Sequence, residues 1–221
     1  MDKQTPILKS QVTQRINDAP ASKVWTPSDF LDLGRRDAVD KTLQRMVNSY
    51  ALRRIDRGLY DQPRTNKLTG RTAVADYRSV IDAVSRRDQV RILPDGMTAA
   101  NDLGLTNSVP GRVIVHTDGR LRPIILDNLK LQFKLTAPSK LFWAGRPAMR
   151  IVQSLYWLRD ELISSDAANA SVISVKIGRM LADPKASLVR DDLISGLSTL
   201  PAWMQNWIRE LLENVEVSTK A

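Results

Sequence analysis

Lys41, Gln44, Arg45 and Asn48 are the residues whose types and spacing point most directly to chemistry in this 221-residue chain. A helix is expected from about Asp37 to Tyr50, its buried face formed by Val39, Leu43, Met46 and Val47 at helical spacing. The other face then presents Arg36, Asp40, Lys41, Gln44, Arg45 and Asn48. In a major groove, arginine pairs two-pronged with guanine and glutamine with adenine. Lysine is better matched to phosphate oxygens. Just downstream, Leu52-Arg-Arg-Ile55 and Leu59-Tyr60 flank Asp56-Arg57-Gly58, a short glycine-bearing connection that signals a hairpin. Arg53, Arg54 and Arg57 make that hairpin basic, suited to the DNA backbone or a neighbouring minor groove. With Arg35, which precedes the helix, the candidate contacts are Arg35, Arg36, Lys41, Gln44, Arg45, Asn48, Arg53, Arg54 and Arg57. A polar helix face is also what plain solvation requires. The weight therefore rests on helix, basic hairpin and regional charge taken together. RNA is disfavoured, because stacking aromatics do not interrupt the basic residues. Tyr60 is the single candidate there, and a tyrosine at that place in a hairpin is expected in the core.

Other elements must position these side chains. Leu8, Val12 and Ile16 recur at i, i+4 and i+8 and predict a first helix. Thr26 can cap a second, with Pro27 at its first position, Asp29 where a capping box places its acid, and Gly34 as the stop. The order helix, helix, turn, helix, hairpin is that of a winged helix-turn-helix. The expectation is an α+β chain: a winged helix-turn-helix over 1–63, a polar, turn-rich linker over 64–71, and a mixed α/β domain with a helical tail over 72–221. In that second domain Thr72 to Arg87 reads as helix, with Val80, Ile81 and Val84 inside. Val90–Leu93, Arg112–His116 and Pro123–Leu126 read as strands. Leu129, Leu131, Phe133 and Leu135 alternate with polar residues, predicting a strand with one buried and one wet face. Gly96 and Gly104 mark Thr98 to Leu105 as a structural loop, the alternative being a partner-binding surface. Further on, Ile151, Leu155, Leu158 and Leu162 repeat at helical spacing, as do Trp203, Trp207 and Leu211.

The formal net charge is +9 and the pI about 10.0, a balance that favours anionic partners. Met1 to Thr72 holds 14 Lys/Arg against 8 Asp/Glu, so the first third carries most of the excess. Hydrophobic residues make up 43% of the chain, enough to bury a core. Cysteine is absent, which excludes disulfides, thiolate zinc sites and cysteine nucleophiles. No signal peptide and no membrane-spanning stretch is read, so a cytoplasmic location and no membrane partner are expected.

A binding role is expected rather than an enzyme, with neither cofactor nor metal. His116, the single histidine, falls at a predicted strand end and is expected to make an ordinary hydrogen bond. A Ser-His-Asp device would depend on it, and no Gly-x-Ser-x-Gly elbow occurs. Gly-rich phosphate loops are missing. Asp160-Glu161 and Asp191-Asp192 are adjacent acids, which diverge by about 100° on a helix and make no metal site alone. Trp143, Trp157, Trp203 and Trp207 are expected in the core rather than at an interface hot spot.

Val39-Asp-Lys-Thr-Leu43-Gln-Arg-Met46, followed by Leu52-Arg-Arg-Ile-Asp-Arg-Gly58-Leu-Tyr60-Asp-Gln-Pro63, resembles the N-terminal domain of AbiE-type (abortive infection) antitoxins. Ala100-Asn101-Asp102-Leu103-Gly104-Leu105, Val109-Pro110 and Thr117-Asp118-Gly119 are similar to the antitoxin-like branch of that group. The resemblance covers most of Thr26 to Leu158 and leaves the tail after Leu162 unmatched. It implies an autoregulating repressor that binds repeated sites in its own promoter and counters a cognate nucleotidyltransferase-type toxin. Such toxins carry a Gly-Ser motif followed by paired acids, and this chain has no Gly-Ser pair. Two other readings stand beside it. One is a stand-alone regulator whose second domain senses a ligand or dimerises. The other is a nucleic-acid-processing enzyme with the winged domain as tether.

Overall fold

A computed structural model describes residues 4–65, 70–107, 111–163 and 167–220. The fold is α+β. It divides into two compact units, residues 1–90 with 122–131 and residues 91–121 with 132–221. The expected linker runs through residues 66–69, which lie outside those described, as does Val109-Pro110.

The first unit opens with α1 (Gln4–Asn17), whose Leu8, Val12 and Ile16 are buried as their spacing demands. The expected second helix is shorter than predicted. It is a single 3-10 turn, Pro27–Phe30. Two bonds hold its start. The Asp29 carboxylate accepts from the Thr26 amide at 2.7 Å and from the Thr26 hydroxyl at 3.0 Å. Immediately before it, Trp25 exchanges backbone hydrogen bonds with Tyr60 at 2.7 and 2.9 Å, committing the preceding residue to extended geometry. The chain then turns again, Leu33 N–H donating to the Phe30 carbonyl at 3.0 Å, before Arg35 caps α2 (Arg36–Asn48). On α2, Val39, Leu43 and Met46 are buried and Val47 packs beside them. Leu8, Val12, Ile16, Trp25, Phe30 and Tyr60 complete one core, with the Trp25 and Phe30 rings stacked at 5.1 Å. Each such large side chain contributes about 1.5–3 kcal/mol on full burial. Arg15 clamps α1 to the 3-10 turn through a two-pronged bond to Asp32, both contacts at 2.6 Å. That bond holds the exposed Asp32 carboxyl below its usual range.

The hairpin consists of β1 (Arg53–Asp56) and β2 (Leu59–Asp61), antiparallel, with an irregularity between Arg54 and Asp56. Gly58 turns it at φ +68°, a left-handed conformation natural to glycine. Next, α3 (Tyr77–Asp88) begins several residues later than predicted, because the Asp76 side chain caps it by accepting from Arg78 N–H. Val80, Ile81 and Val84 lie inside as expected. Arg86 donates to the Val24 carbonyl at 2.9 Å and Arg87 to the Arg57 carbonyl at 2.6 Å, tying α3 to the segment before the 3-10 turn and to the hairpin tip.

In the second unit β3 (Ile92–Pro94) pairs antiparallel with β4 (Arg112–Thr117). Two further strands are β5 (Ile124–Leu126), which belongs to the first unit, and β6 (Leu129–Leu135), whose first three residues belong there too; they are joined as a hairpin in which Leu126 faces Leu129. The sheet order is β3-β4-β6-β5. The alternation read in β6 is weaker than expected: Leu131 alone is fully buried, and Leu135 is exposed. Of the stretch Thr98 to Leu105, expected as loop, the part up to Asp102 belongs to a helix, α4 (Gly96–Asp102), capped by the Asp95 side chain accepting from Thr98 N–H at 2.9 Å. Thr98, Ala99 and Ala100 are buried on it, small residues that let it lie close to α5 (Met149–Trp157). The buried Asp102 carboxylate meets Arg150 of α5 at 3.2 Å. The predicted long helix breaks at Leu158 into α5 and α6 (Arg159–Ile163).

The tail is not appended to this unit but completes its core. Ile173, Ile177 and Leu181 of α7 (Ala167–Ala182), Leu193 of α8 (Ser187–Gly196), and Met204, Ile208 and Leu211 of α9 (Ala202–Lys220) join Ile151, Val152, Leu155 and Leu158 in one cluster. On α9 the buried row is Met204, Ile208, Leu211 and Val215, one residue along from the expected Trp203 and Trp207, which flank it half-buried. Trp143 is buried as expected, whereas Trp157 is exposed. Asp192 is structural rather than metal-directed: it pairs with Arg146 at 2.7 Å and accepts from Ala148 N–H at 2.9 Å. Among the described residues no group of three or more potential acidic or histidine ligands comes together. Nor is any helix among them long and apolar enough to cross a membrane.

Candidate nucleic-acid interface

α2 separates its two kinds of residue cleanly. At about 100° per residue, Lys41, Gln44, Arg45 and Asn48 fall at i, i+3, i+4 and i+7 and make one stripe. All four are exposed, and the buried Val39, Leu43 and Met46 occupy the opposite side. Gln44 donates to the Asn48 side chain at 3.0 Å, an exposed bond that a base edge can replace. Among the described residues Lys41 and Arg45 have no ion-pair partner. Arg35, Lys41 and Arg45 border a concave surface of about 580 Å³ with Gln11, Thr42 and Asp37. Three cations against one carboxylate leave that hollow positive. The carboxylate, Asp37, lies 3.7 Å from Arg35, whose side chain is almost fully exposed.

Arg36 sits to the side of the stripe and is bonded to Asp40 at 3.0 Å, an exposed i,i+4 pair worth about 0.3–0.5 kcal/mol. Such a pair yields easily to phosphate. In the hairpin, adjacent residues of β1 face opposite ways. Arg54 is exposed, with one long 3.5 Å bond to the Asp56 carbonyl, and Arg57 at the tip is exposed. Arg53 faces inward. Its guanidinium meets the buried Asp61 carboxylate in a two-pronged bond, 3.0 and 2.5 Å, and donates to the Ala73 carbonyl at 3.0 Å. The bond to Asp61 raises the Arg53 pKa further above its ordinary value. Arg53 thus anchors β2 and the chain after it, which distinguishes it from Arg54 and Arg57. Replacing it by alanine strands a carboxylate that is only 8% exposed, at a cost of about 1–3 kcal/mol after discounting the partial exposure of the guanidinium. Urea unfolding checks this. An unchanged midpoint with weakened DNA binding would return Arg53 to the interface.

One exposed residue escaped the sequence reading. Tyr50, just past α2, is 89% exposed and left-handed at φ +58°. The Ala51 and Leu52 amides both bond the Met46 carbonyl around it, ending the helix without glycine. The signal was there in Asn48-Ser-Tyr-Ala51, a helix end with no glycine to take the left-handed position. Tyr60, by contrast, is buried as expected.

Comparison with known proteins adds lineage but no mechanism. No curated protein matches the chain. The crystal structure of the RV2827C protein from Mycobacterium tuberculosis aligns over 94% of this chain and 72% of its own, at 18% identity and a TM-score of 0.40. The profile of a family described as being of unknown function, DUF6088, matches residues 11–180, which take in the α2 stripe, the basic hairpin, the sheet and α5. This chain belongs to the DUF6088 family.

Proposed function

We propose that the N-terminal part of the first unit is a winged helix-turn-helix that binds duplex DNA. In this reading α2 is the reading helix and the β1–β2 hairpin the wing. The observation that carries it is the exposed stripe of Lys41, Gln44, Arg45 and Asn48 on the side of α2 opposite its buried row. Gln44 and Arg45 read base edges. Lys41, Arg35 and Arg36 hold phosphates, and Arg54 and Arg57 reach the backbone from the wing. The resemblance to AbiE-type antitoxins extends this to a cytoplasmic repressor of its own operon that also neutralises a cognate nucleotidyltransferase-type toxin, a role without catalysis of its own.

Gel shifts on the duplex upstream of its own gene and on a random duplex test the assignment. Gln44→Ala or Arg45→Ala is expected to weaken specific binding by about 1–3 kcal/mol and to relax selectivity. Arg54→Ala or Arg57→Ala should weaken both duplexes equally. If all four variants bind as the wild type does, the winged-helix reading is wrong.

A further inference from the structure

The second unit holds an open cavity of about 530 Å³ that the DNA-binding reading does not use. Its volume is in the range of small-molecule sites, about 300–1,000 Å³. His116 of β4, Thr136, Lys140, Phe142, and Gln153 and Tyr156 of α5 line it, and no carboxylate does.

The polar groups on its walls have defined roles. The Thr136 hydroxyl donates to the Lys134 carbonyl at 3.1 Å. The His116 Nδ1 lies 3.0 Å from the same oxygen. The other ring nitrogen, Nε2, has no hydrogen-bond partner among the described residues. Burial, and after it the nearby Lys134 charge, holds the His116 pKa below its ordinary value, with Asp95 opposing. Gln153, half-buried on α5, has a side-chain amide without a partner among the described residues. An amide can offer a donor and an acceptor to one heterocycle edge at once. Phe142 and Tyr156, each 43% exposed, supply flat apolar surface. Lys140 is exposed at the rim and has no ion-pair partner among the described residues.

We infer that this cavity binds a nucleoside monophosphate: a flat heterocycle against the exposed ring surface of Tyr156 and Phe142, its edge bonded by His116 Nε2 and Gln153, and its phosphate at Lys140. Aromatic surface, an imidazole nitrogen, an amide and one lining cation with no lining acid suit a planar base bearing an anion better than a cation or a purely apolar ligand. No α2 residue lines the cavity, so its occupancy and DNA binding are measured separately.

Calorimetric titration of the full chain with AMP, GMP, CMP and UMP, against inorganic phosphate, tests this. At least one nucleotide is expected to bind one per chain with sub-millimolar affinity, while phosphate alone binds at least tenfold more weakly. Lys140→Ala, at an exposed position, should weaken that nucleotide about tenfold. Gln153→Ala should change the ranking among the four bases. Lys41→Ala with Arg45→Ala on α2 should leave nucleotide binding as it was. No binding of any of the four at 5 mM overturns the inference. So does phosphate competing as well as the nucleotide, or binding lost in the α2 variant and kept in Lys140→Ala.

Discussion

Replacing Lys41, Gln44, Arg45 and Asn48 together by alanine is expected to lower affinity for the operator duplex at least about 100-fold, since each lost base pairing is worth about 1–3 kcal/mol and the Lys41 phosphate contact goes with them. The protein itself should be indifferent to the change. All four side chains are exposed. The one internal bond lost is that between Gln44 and Asn48, a surface i,i+4 pair worth about 0.2–0.5 kcal/mol. Alanine's higher helix propensity offsets that loss. An unchanged melting temperature beside collapsed binding is thus the expected pattern. If the antitoxin reading holds, the same variant still relieves growth arrest by a co-expressed cognate toxin, because the stripe is assigned to DNA alone. A variant that melts early, or that loses toxin relief along with DNA binding, would contradict the assignment.

A second large effect belongs to the glycines of the second unit, and its sign reverses between two helices. At Gly96, an added Cβ lies 2.6 Å from the Gln153 backbone carbonyl and 2.5 Å from the Trp157 Cβ. Neither atom is the free end of a flexible side chain, so α4 and α5 must part. Gly96→Ala is expected to cost about 2–3 kcal/mol, the upper end for overpacking. At Gly178, within α7, the added Cβ meets the Leu211 Cδ1 at 3.6 Å, an ordinary contact. Gly178→Ala should therefore stabilise by about 0.5–1 kcal/mol, the usual helix-interior gain over glycine. Chemical unfolding of both variants checks the pair. A neutral Gly96→Ala would mean that α4 does not lie against α5 at that distance.

Sequence periodicity reached α2, its buried row and the exposed stripe because one helix face was apolar and the other polar, with nothing competing. It reached the hairpin because Gly58 has few alternatives there. It overestimated the second helix, since capping residues mark where a helix starts but not how far it runs. The Trp25–Tyr60 bridge and the turn at Leu33 confine it to Pro27–Phe30. It missed α4 because Gly-Met-Thr-Ala-Ala-Asn-Asp has no large apolar stripe. There the buried face is made of Thr98, Ala99 and Ala100, small because a neighbouring helix lies close. On α9 Leu211 was placed in the core correctly, but the bulk of Trp203 and Trp207 drew the rest of the apolar face one residue out of register from Met204 and Ile208.

The site was legible to the same degree. The α2 residues could be named, because helix geometry alone separates them from the core. Arg53 and Arg54 could not be told apart by charge, although strand alternation already required them to face opposite ways. Which of the two turned inward depended on Asp61 and Ala73, eight and twenty residues away. The cavity around His116 depends on β4, Thr136 and α5 meeting across long sequence separations, and no local pattern signals that.

The central claim, that the α2 stripe grips duplex DNA, is tested most directly by the salt dependence of binding to the operator duplex. For wild type, log Kobs is expected to fall with log salt at a slope of about −4 to −6, reflecting phosphate contacts from Arg35, Arg36, Lys41, Arg54 and Arg57 at about 0.9 per contact. In the fourfold alanine variant the slope should flatten by about one unit, for the loss of Lys41, and discrimination between operator and random duplex should disappear. A wild-type protein with no salt dependence, or a variant with undiminished slope and selectivity, would contradict the account.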